Sequence, residues 1–291
     1  MDFGKCLDSG EVILLDGAMG TELDKRGVKD KLEANQNNPD AVIEVHRDYF
    51  RAGSQGVITN SLLLNERYLS RHKSVVDADE LNRAGVALAR EAASDDQFVL
   101  GDMGPSGQLF ESFEHADEVA LAAAFERQAK SLIQAGVDGL IVETMIDLRE
   151  AVCALRACRK ITDLPVVVSM VFRTDLHGGK TPMGNSAKDC ASQLEGEGAD
   201  AIGANCGEVT PQQMRAIVRT FRANTSRPIV ASPNAGEPLW RDRTVVMYDM
   251  DPKTFADGVI ECHKAGAQLV GGCCGSSPAH IKALHDKLKG L

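Results

Sequence analysis

The sequence predicts an α/β protein folded as a single (β/α)8 barrel, a TIM barrel. Three observations carry this reading. Short runs of β-branched apolar residues recur along the whole chain and alternate with longer amphipathic stretches, the order expected of a parallel sheet covered by helices. Eight such runs can be counted in 291 residues, close to the roughly 250 that an eight-unit barrel usually takes. Hydrophobic residues make up 43% of the chain but aromatic ones only 4%, so the interior has to be aliphatic, as barrel interiors are. An open doubly wound sheet has the same alternation, and the count of eight favours closure over it.

The strand candidates in order are VILLD (12–16), GVITN (56–60), FVLGD (98–102) and GLIVET (139–144), then VVVSMVF (166–172), DAIGANC (200–206), PIVASPN (228–234) and AQLVGGCC (267–274). Each is nearly continuous in apolar residues, as strands buried on both faces must be. Helical spacing of apolar residues marks 40–52, 118–135, 147–159, 187–197, 211–223, 252–265 and 278–289. Pro39 stands near the start of the first of these, and Pro211, Pro252 and Pro278 fit first-turn positions. Gly53, Gly136, Gly198 and Gly266 stand where helices should stop. No linker or low-complexity segment interrupts the pattern, so one domain over 1–291 is expected.

The formal charge is −10. An acidic surface argues against nucleic acid and against anionic membranes as partners. The N-terminus lacks a basic segment followed by an apolar run, and no stretch of about 18 apolar residues occurs. A soluble cytoplasmic protein is therefore expected. Its eight cysteines should then be reduced, and serve as core residues, metal ligands or reactive thiols.

A barrel places function at the C-terminal ends of its strands. Polar residues gather there: Asp16, Thr59, Asn60, Asp102, Glu143, Asn205, Asn234, and the cysteines Cys206, Cys273 and Cys274. Cys206 ends the sixth strand candidate, and Cys273 and Cys274 end the eighth, so all three point into one mouth. Adjacent residues of a regular strand face opposite ways, but Gly271, Gly272 and Gly275 would let the backbone turn so that both sulfurs converge. Two readings stand on these residues alone. A cysteine pair in an apolar strand can simply be core packing, or three thiolates can form a soft tetrahedral zinc site with its fourth position open, the mark of a catalytic zinc. Cys6, Cys153, Cys158, Cys190 and Cys262 read as structural.

An open three-thiolate zinc suits one chemistry well. A free thiol, with a pKa of about 8.5, is mostly protonated at neutral pH, and coordination removes that proton. A substrate thiolate so held can attack a methyl group on a good leaving group, and no residue of the chain need serve as nucleophile. Activation of water is less suited, because three thiolates weaken the metal as an acid.

These residues resemble the homocysteine S-methyltransferase family, which includes betaine–homocysteine methyltransferase and the homocysteine domain of cobalamin-dependent methionine synthase. The matches run through LLDGAMGTEL, ITN, GDMGPSG, ETMIDLREA, VSMVF, GANCGEVTPQQM, SPNAGEP and GGCCGSSPAHI in order. The resemblance implies Cys206, Cys273 and Cys274 as ligands of Zn2+. It implies Glu143 as the carboxylate that holds the homocysteine ammonium, and Asp16 and Gly17 as the turn shaping the amino-acid pocket. Asn60 and Asn234 are further candidates for substrate contact, while Asn205 reads as a loop-orienting residue. His46, His115, His263 and His285 read as solvated or packing residues, and His177 and Trp240 as weak candidates near the mouth.

The implied reaction is methyl transfer to homocysteine, forming methionine. The chain departs from the family at Thr59-Asn60-Ser61-Leu62, where TNTF is common, and at Asp16-Gly17-Ala18, where DGG is common. Both lie toward the donor side of the mouth. GDMGPSG is more similar to the cobalamin-dependent branch, which implies a methylated corrinoid carried by a separate protein; S-methylmethionine, S-adenosylmethionine and betaine are the other donors the family suggests. Two rival readings are a zinc hydrolase or lyase on the same barrel, and a subunit of a corrinoid-dependent methyl-transfer system, catalytic toward a related thiol or selenol or merely holding zinc and thiol.

Overall fold

The computed structural model describes residues 2–107, 118–237, 239–241 and 244–291. Eight parallel strands form one sheet: β1 (Ile13–Leu14), β2 (Gly56–Ile58), β3 (Phe98–Met103), β4 (Gly139–Met145), β5 (Val166–Met170), β6 (Ala201–Asn205), β7 (Ile229–Ser232) and, after a hairpin, β10 (Leu269–Val270). Their order is β1-β10-β7-β6-β5-β4-β3-β2. The sheet curls until its two outer members meet, which rules out the open doubly wound alternative. All eight expected strands are present, several shorter than their apolar runs.

The β1–β2 seam carries no regular ladder. Gln55 closes it twice, donating its backbone N–H to the Leu14 carbonyl (2.7 Å) and accepting from Leu14 N–H at its Oε1 (2.9 Å). Asp16 Oδ2 accepts from Ile58 N–H (2.9 Å). Side chains thus stand in for missing backbone partners, because buried peptide groups must be paired.

Period-two alternation sorts each strand. One face of every strand packs outward against helices in the main core. The other face fills the barrel with Ile13, Leu15, Phe98, Leu100, Ile141, Val167, Ala201, Val230 and Leu269. Gly203 keeps β6 and β7 close, since a methyl there would lie 1.9 Å from the Val230 carbonyl oxygen. Two residues further along, the inward positions turn polar: Asp102, Glu143, Ser169, Asn205 and Ser232. The apolar plug thereby gives way to a polar mouth.

The expected helices form, with Pro39, Pro211, Pro252 and Pro278 in their first turns. Gly53, Gly136, Gly198 and Gly266 all have left-handed backbone at the stops. Elements beyond those expected include short helices at Met19–Lys25, Ala34–Asn37 and Glu66–Arg71 and three further features. A helix at Phe3–Ser9, capped by Asp2, sends Phe3 and Leu7 into the N-terminal end of the barrel. A second helix, Ala78–Ala92, is capped by Asp77 and lies between β2 and β3. A hairpin of β8 (Leu239–Arg241) and β9 (Thr244–Met247) follows β7. Among the described residues, no helix is long and apolar enough to cross a membrane.

Phe3 is almost fully buried, and its ring centroid lies 5.3 Å from that of Phe98. Phe3→Ala should cost about 3–5 kcal/mol of unfolding free energy, the range for buried aromatic truncation. Urea unfolding measures this, and a loss under about 1 kcal/mol would show that the first helix is no part of the barrel core.

Candidate active site

The cysteines come together because two strands end early. β6 stops at Asn205, and Cys206 follows with left-handed backbone, φ 55°. β10 stops at Val270, so strand alternation no longer governs Cys273 and Cys274. Three backbone bonds shape that segment: Gly272 N–H to the Asp16 carbonyl (2.9 Å), Cys273 N–H to the Pro233 carbonyl (2.8 Å), and Ala235 N–H to the Cys274 carbonyl (3.0 Å). A β-carbon on Gly272 would lie 2.4 Å from Ser276 Oγ. The three sulfurs lie within 4.8 Å of one another, with Cys206 and Cys274 at 3.8 Å. An ion about 2.3 Å from each sulfur in tetrahedral geometry needs edges of about 3.8 Å, so the cluster fits a thiolate-bound metal. Among the described residues it is the one group of three or more His, Cys, Asp or Glu side chains whose ligand atoms converge.

The cluster is electrostatically poised. Hydrogen bonds from Cys206 and Cys273 bring the Cys274 thiol down to about 3 against the cost of burial, with Tyr248 contributing a further bond. Contacts with Cys206 and then Cys274 hold Cys273 well above the usual thiol range. The three thiols thus lie close enough to act on one another, and a soft metal binds such groups as thiolates. Elsewhere burial pushes Cys158, Cys190 and Cys262 up to about 12 and Cys153 up to about 11. Those thiols are inert packing groups.

Glu143 stands beside the cluster. Burial first, and the charge of Cys274 second, push its carboxyl up to about 7. Asn205 fixes it from below. Its Nδ2 donates to Glu143 Oε2 (3.2 Å) and Thr144 Oγ1 (2.8 Å) and lies 3.8 Å from Cys273 Sγ. Its Oδ1 accepts from Thr144 N–H (2.9 Å) and Ser169 Oγ (2.7 Å). Thr144, like Cys206, has left-handed backbone, φ 60°, a conformation that costs energy for a β-branched residue and concentrates at functional sites. A cavity of about 780 Å³ opens over these groups, lined in part by Gly17, Leu62, Asp102, Glu143, Cys273 and Cys274. A second cavity, of about 550 Å³, lies near Asp2, Leu7 and Pro165 at the opposite end of the barrel, away from the cysteines.

The other sequence candidates fall around this cavity in different ways. Gly17 lines it, and a β-carbon there would come within 2.6 Å of Ser276 Oγ and 2.9 Å of Tyr49 Oη. Asp16 is buried in the seam, and its Oδ1 has no partner. Asn60 also lines the cavity, with its Nδ2 donating to the Lys31 carbonyl (3.1 Å) and Asn35 Oδ1 (3.0 Å). Asn234 Nδ2 donates to the Gly207 carbonyl (2.9 Å) and braces the turn behind Cys206. His177 is exposed and outside the cavity lining. His46 is a fully buried packing residue whose ring nitrogens have no partner. His115 and the Trp240 side chain lie outside the described residues. Three contributors were not picked out from sequence: Ser169 and Thr144, which hold Asn205, and Tyr248. Counting two residues past each inward apolar position finds Ser169; nothing in the sequence marks Tyr248.

Comparison with known proteins agrees with this geometry. The profile of the homocysteine S-methyltransferase family matches residues 13–288. The homocysteine S-methyltransferase YbgG of Bacillus subtilis is 31% identical over 96% of this chain and 95% of its own length. Methionine synthase of Mycobacterium tuberculosis is 30% identical over 94% of this chain, which spans only 24% of that protein. The crystal structure of the homocysteine methyltransferase MmuM from Escherichia coli, in a metallated form, superposes with a TM-score of 0.80 at 28% identity, covering 97% of this chain and 98% of MmuM. With its barrel, its converging cysteines and a family profile matched almost end to end, this chain belongs to the homocysteine S-methyltransferase family.

Proposed function

We propose that the chain is a zinc-dependent S-methyltransferase that moves a methyl group to the sulfur of homocysteine and forms methionine, working in the cytoplasm as one domain over residues 1–291. The observation that carries this reading is the convergence of Cys206, Cys273 and Cys274 within 4.8 Å beside a cavity that holds the half-buried carboxylate of Glu143. Zinc, when bound by these three cysteines, supplies the charge that keeps a substrate thiol in its reactive thiolate form.

The chain's own residues do the positioning. Glu143 takes the α-ammonium group of the acceptor, a cation suited to a half-buried acid that has no basic partner. Asn205 holds Glu143 and touches Cys273, so it sets the distance between the two ends of the acceptor. Gly17 and Gly272 let the two strand ends close against Ser276 at the edge of the pocket, and Asp16 fixes the turn that carries Gly17. Leu62, Leu63 and Leu64 give the cavity an apolar wall, which keeps water from competing with the methyl donor. Asn60 and Asn234 shape the loops around the acceptor. The donor enters from the open side, as a methylated corrinoid on a separate protein, S-methylmethionine or betaine. Catalysis then rests on alignment and thiolate activation. The hydrolase reading is weaker because three thiolates leave a metal poorly acidic toward water.

Replacing any one of Cys206, Cys273 and Cys274 by alanine should remove both bound zinc and methionine formation. Metal analysis with a donor panel of methylcobalamin, S-methylmethionine, S-adenosylmethionine and betaine measures this; an active zinc-free variant would refute the proposal. Zinc binding with no turnover from any donor would instead favour the non-catalytic subunit reading. Asn205→Ala should keep its zinc but raise the acceptor KM by about tenfold, because a charge-assisted bond to Glu143 is lost. An unchanged KM would remove Asn205 from the positioning role.

A further inference from the structure

Asp102 is not explained by the proposal so far. It ends the inward face of β3, is 5% exposed, and lines the same cavity as Glu143. Its backbone is pinned: its N–H donates to Thr59 Oγ1 (3.0 Å), and its carbonyl accepts from Ser61 Oγ (2.8 Å) and Gln128 Nε2 (3.4 Å). The carboxylate is held only in part, by a bond from the backbone of Met103. Its Oδ1 is buried with no hydrogen-bond partner. The charges that act on it most are Glu143 and then Asp16, both acids. The lysines of the lining, Lys29 and Lys31, sit at the outer rim, where Lys31 pairs with Asp24 (2.6 Å).

A buried acid with one oxygen unsatisfied and two other acids nearby is unfavourable for folding. Such a group is kept where a ligand completes it. The missing partner must be a cation with several donors, small enough to reach the floor of the mouth. Asp102 lies in register with Ile141, two residues before Glu143 on the same inward face of the neighbouring strand β4, and Asp102, Glu143, Cys273 and Cys274 line one cavity. A ligand with its sulfur at the cysteines and its ammonium at Glu143 therefore presents that ammonium to Asp102 as well. An ammonium group has three N–H donors, more than one carboxylate uses.

We propose that Asp102 is a specificity-determining residue that pairs with Glu143 as a two-carboxylate receptor for the acceptor's α-ammonium group. Building on the proposed function, this makes the site selective for amino-acid thiols. A thiol with the same chain and carboxylate but no amino group leaves both acids unpaired and adds a repelling charge. The selectivity then comes as much from rejection as from attraction.

Calorimetric titration of the zinc-loaded protein tests this, with L-homocysteine and 4-mercaptobutanoate as probes. D102N and D102S are compared with the wild type and with E143Q. The wild type should prefer homocysteine, and both Asp102 variants should lose about tenfold or more of that preference, the size expected for a charge-assisted bond. Their melting temperatures should equal or exceed that of the wild type, because a buried acid with an unsatisfied oxygen facing two other acids has been removed. An undiminished preference in both variants, alongside its loss in E143Q, would overturn the role of Asp102 and leave the proposed function standing. Lower melting temperatures with unchanged preference, or failure of both variants to fold, would show Asp102 to be structural. A wild type that binds neither thiol would overturn the proposed function together with this inference.

Discussion

In a parallel barrel each strand offers the interior only every second residue, and the rest of this molecule depends on that constraint. The inward positions fill the lower barrel with Ile13, Leu15, Phe98, Leu100, Ile141, Val167 and their neighbours. One step further the same register delivers Asp102, Glu143, Ser169 and Asn205 to the mouth. Core and site are consecutive layers of one pattern. A slip of one residue in β4 would swing Glu143 out toward the helices and put an aliphatic side chain in the mouth. The apolar layer thus sets the position of the acid that the proposed chemistry needs.

The cysteines escape this constraint, and they have to. Three sulfurs cannot meet at one point from regular strands, so β6 and β10 end before their cysteines. Cys206 takes up a left-handed backbone, and Thr144 does the same at the end of β4. Such geometry survives only where the surroundings over-determine it. Asn205 supplies that restraint, with its side chain bound to Glu143, Thr144 and Ser169. Strain at the mouth and close packing beneath it belong to a single arrangement.

Most of the barrel was legible in the sequence, because strands buried on both faces leave long aliphatic runs and the helices between them carry proline and glycine at their ends. The cysteines were legible as strand-end residues, although residues alone left core packing open beside metal binding. The helix Phe3–Ser9 was not foreseen. Seven residues give too little periodicity, and its value to the fold lies in Phe3 meeting Phe98, a contact between distant parts of the chain. Ala78–Ala92 was passed over although Asp77 caps it and Leu81, Val86 and Ala89 mark its buried face. The hairpin after β7 falls between the strand candidate 228–234 and the helix candidate 252–265, a stretch to which the sequence pattern assigns no element. Asp102 was noticed among the strand ends, but a one-dimensional reading does not reveal whether a carboxylate has a partner.

The seam between β1 and β2 has a consequence of its own. Seven junctions of the barrel are ladders of peptide groups, and the eighth is stitched by Gln55, Asp16 and Ser54. Peptide ladders tolerate almost any side chain, whereas this junction is written in particular residues. The hoop at that point therefore depends on the side chains of Gln55, Asp16 and Ser54, and mutation reaches it there more directly than where peptide groups pair. Because Asp16 also carries the turn to Gly17 at the rim, drift in the pocket's shape is coupled to the integrity of the barrel wall. Variation that would remodel the pocket from this side is filtered first by whether the cylinder still closes.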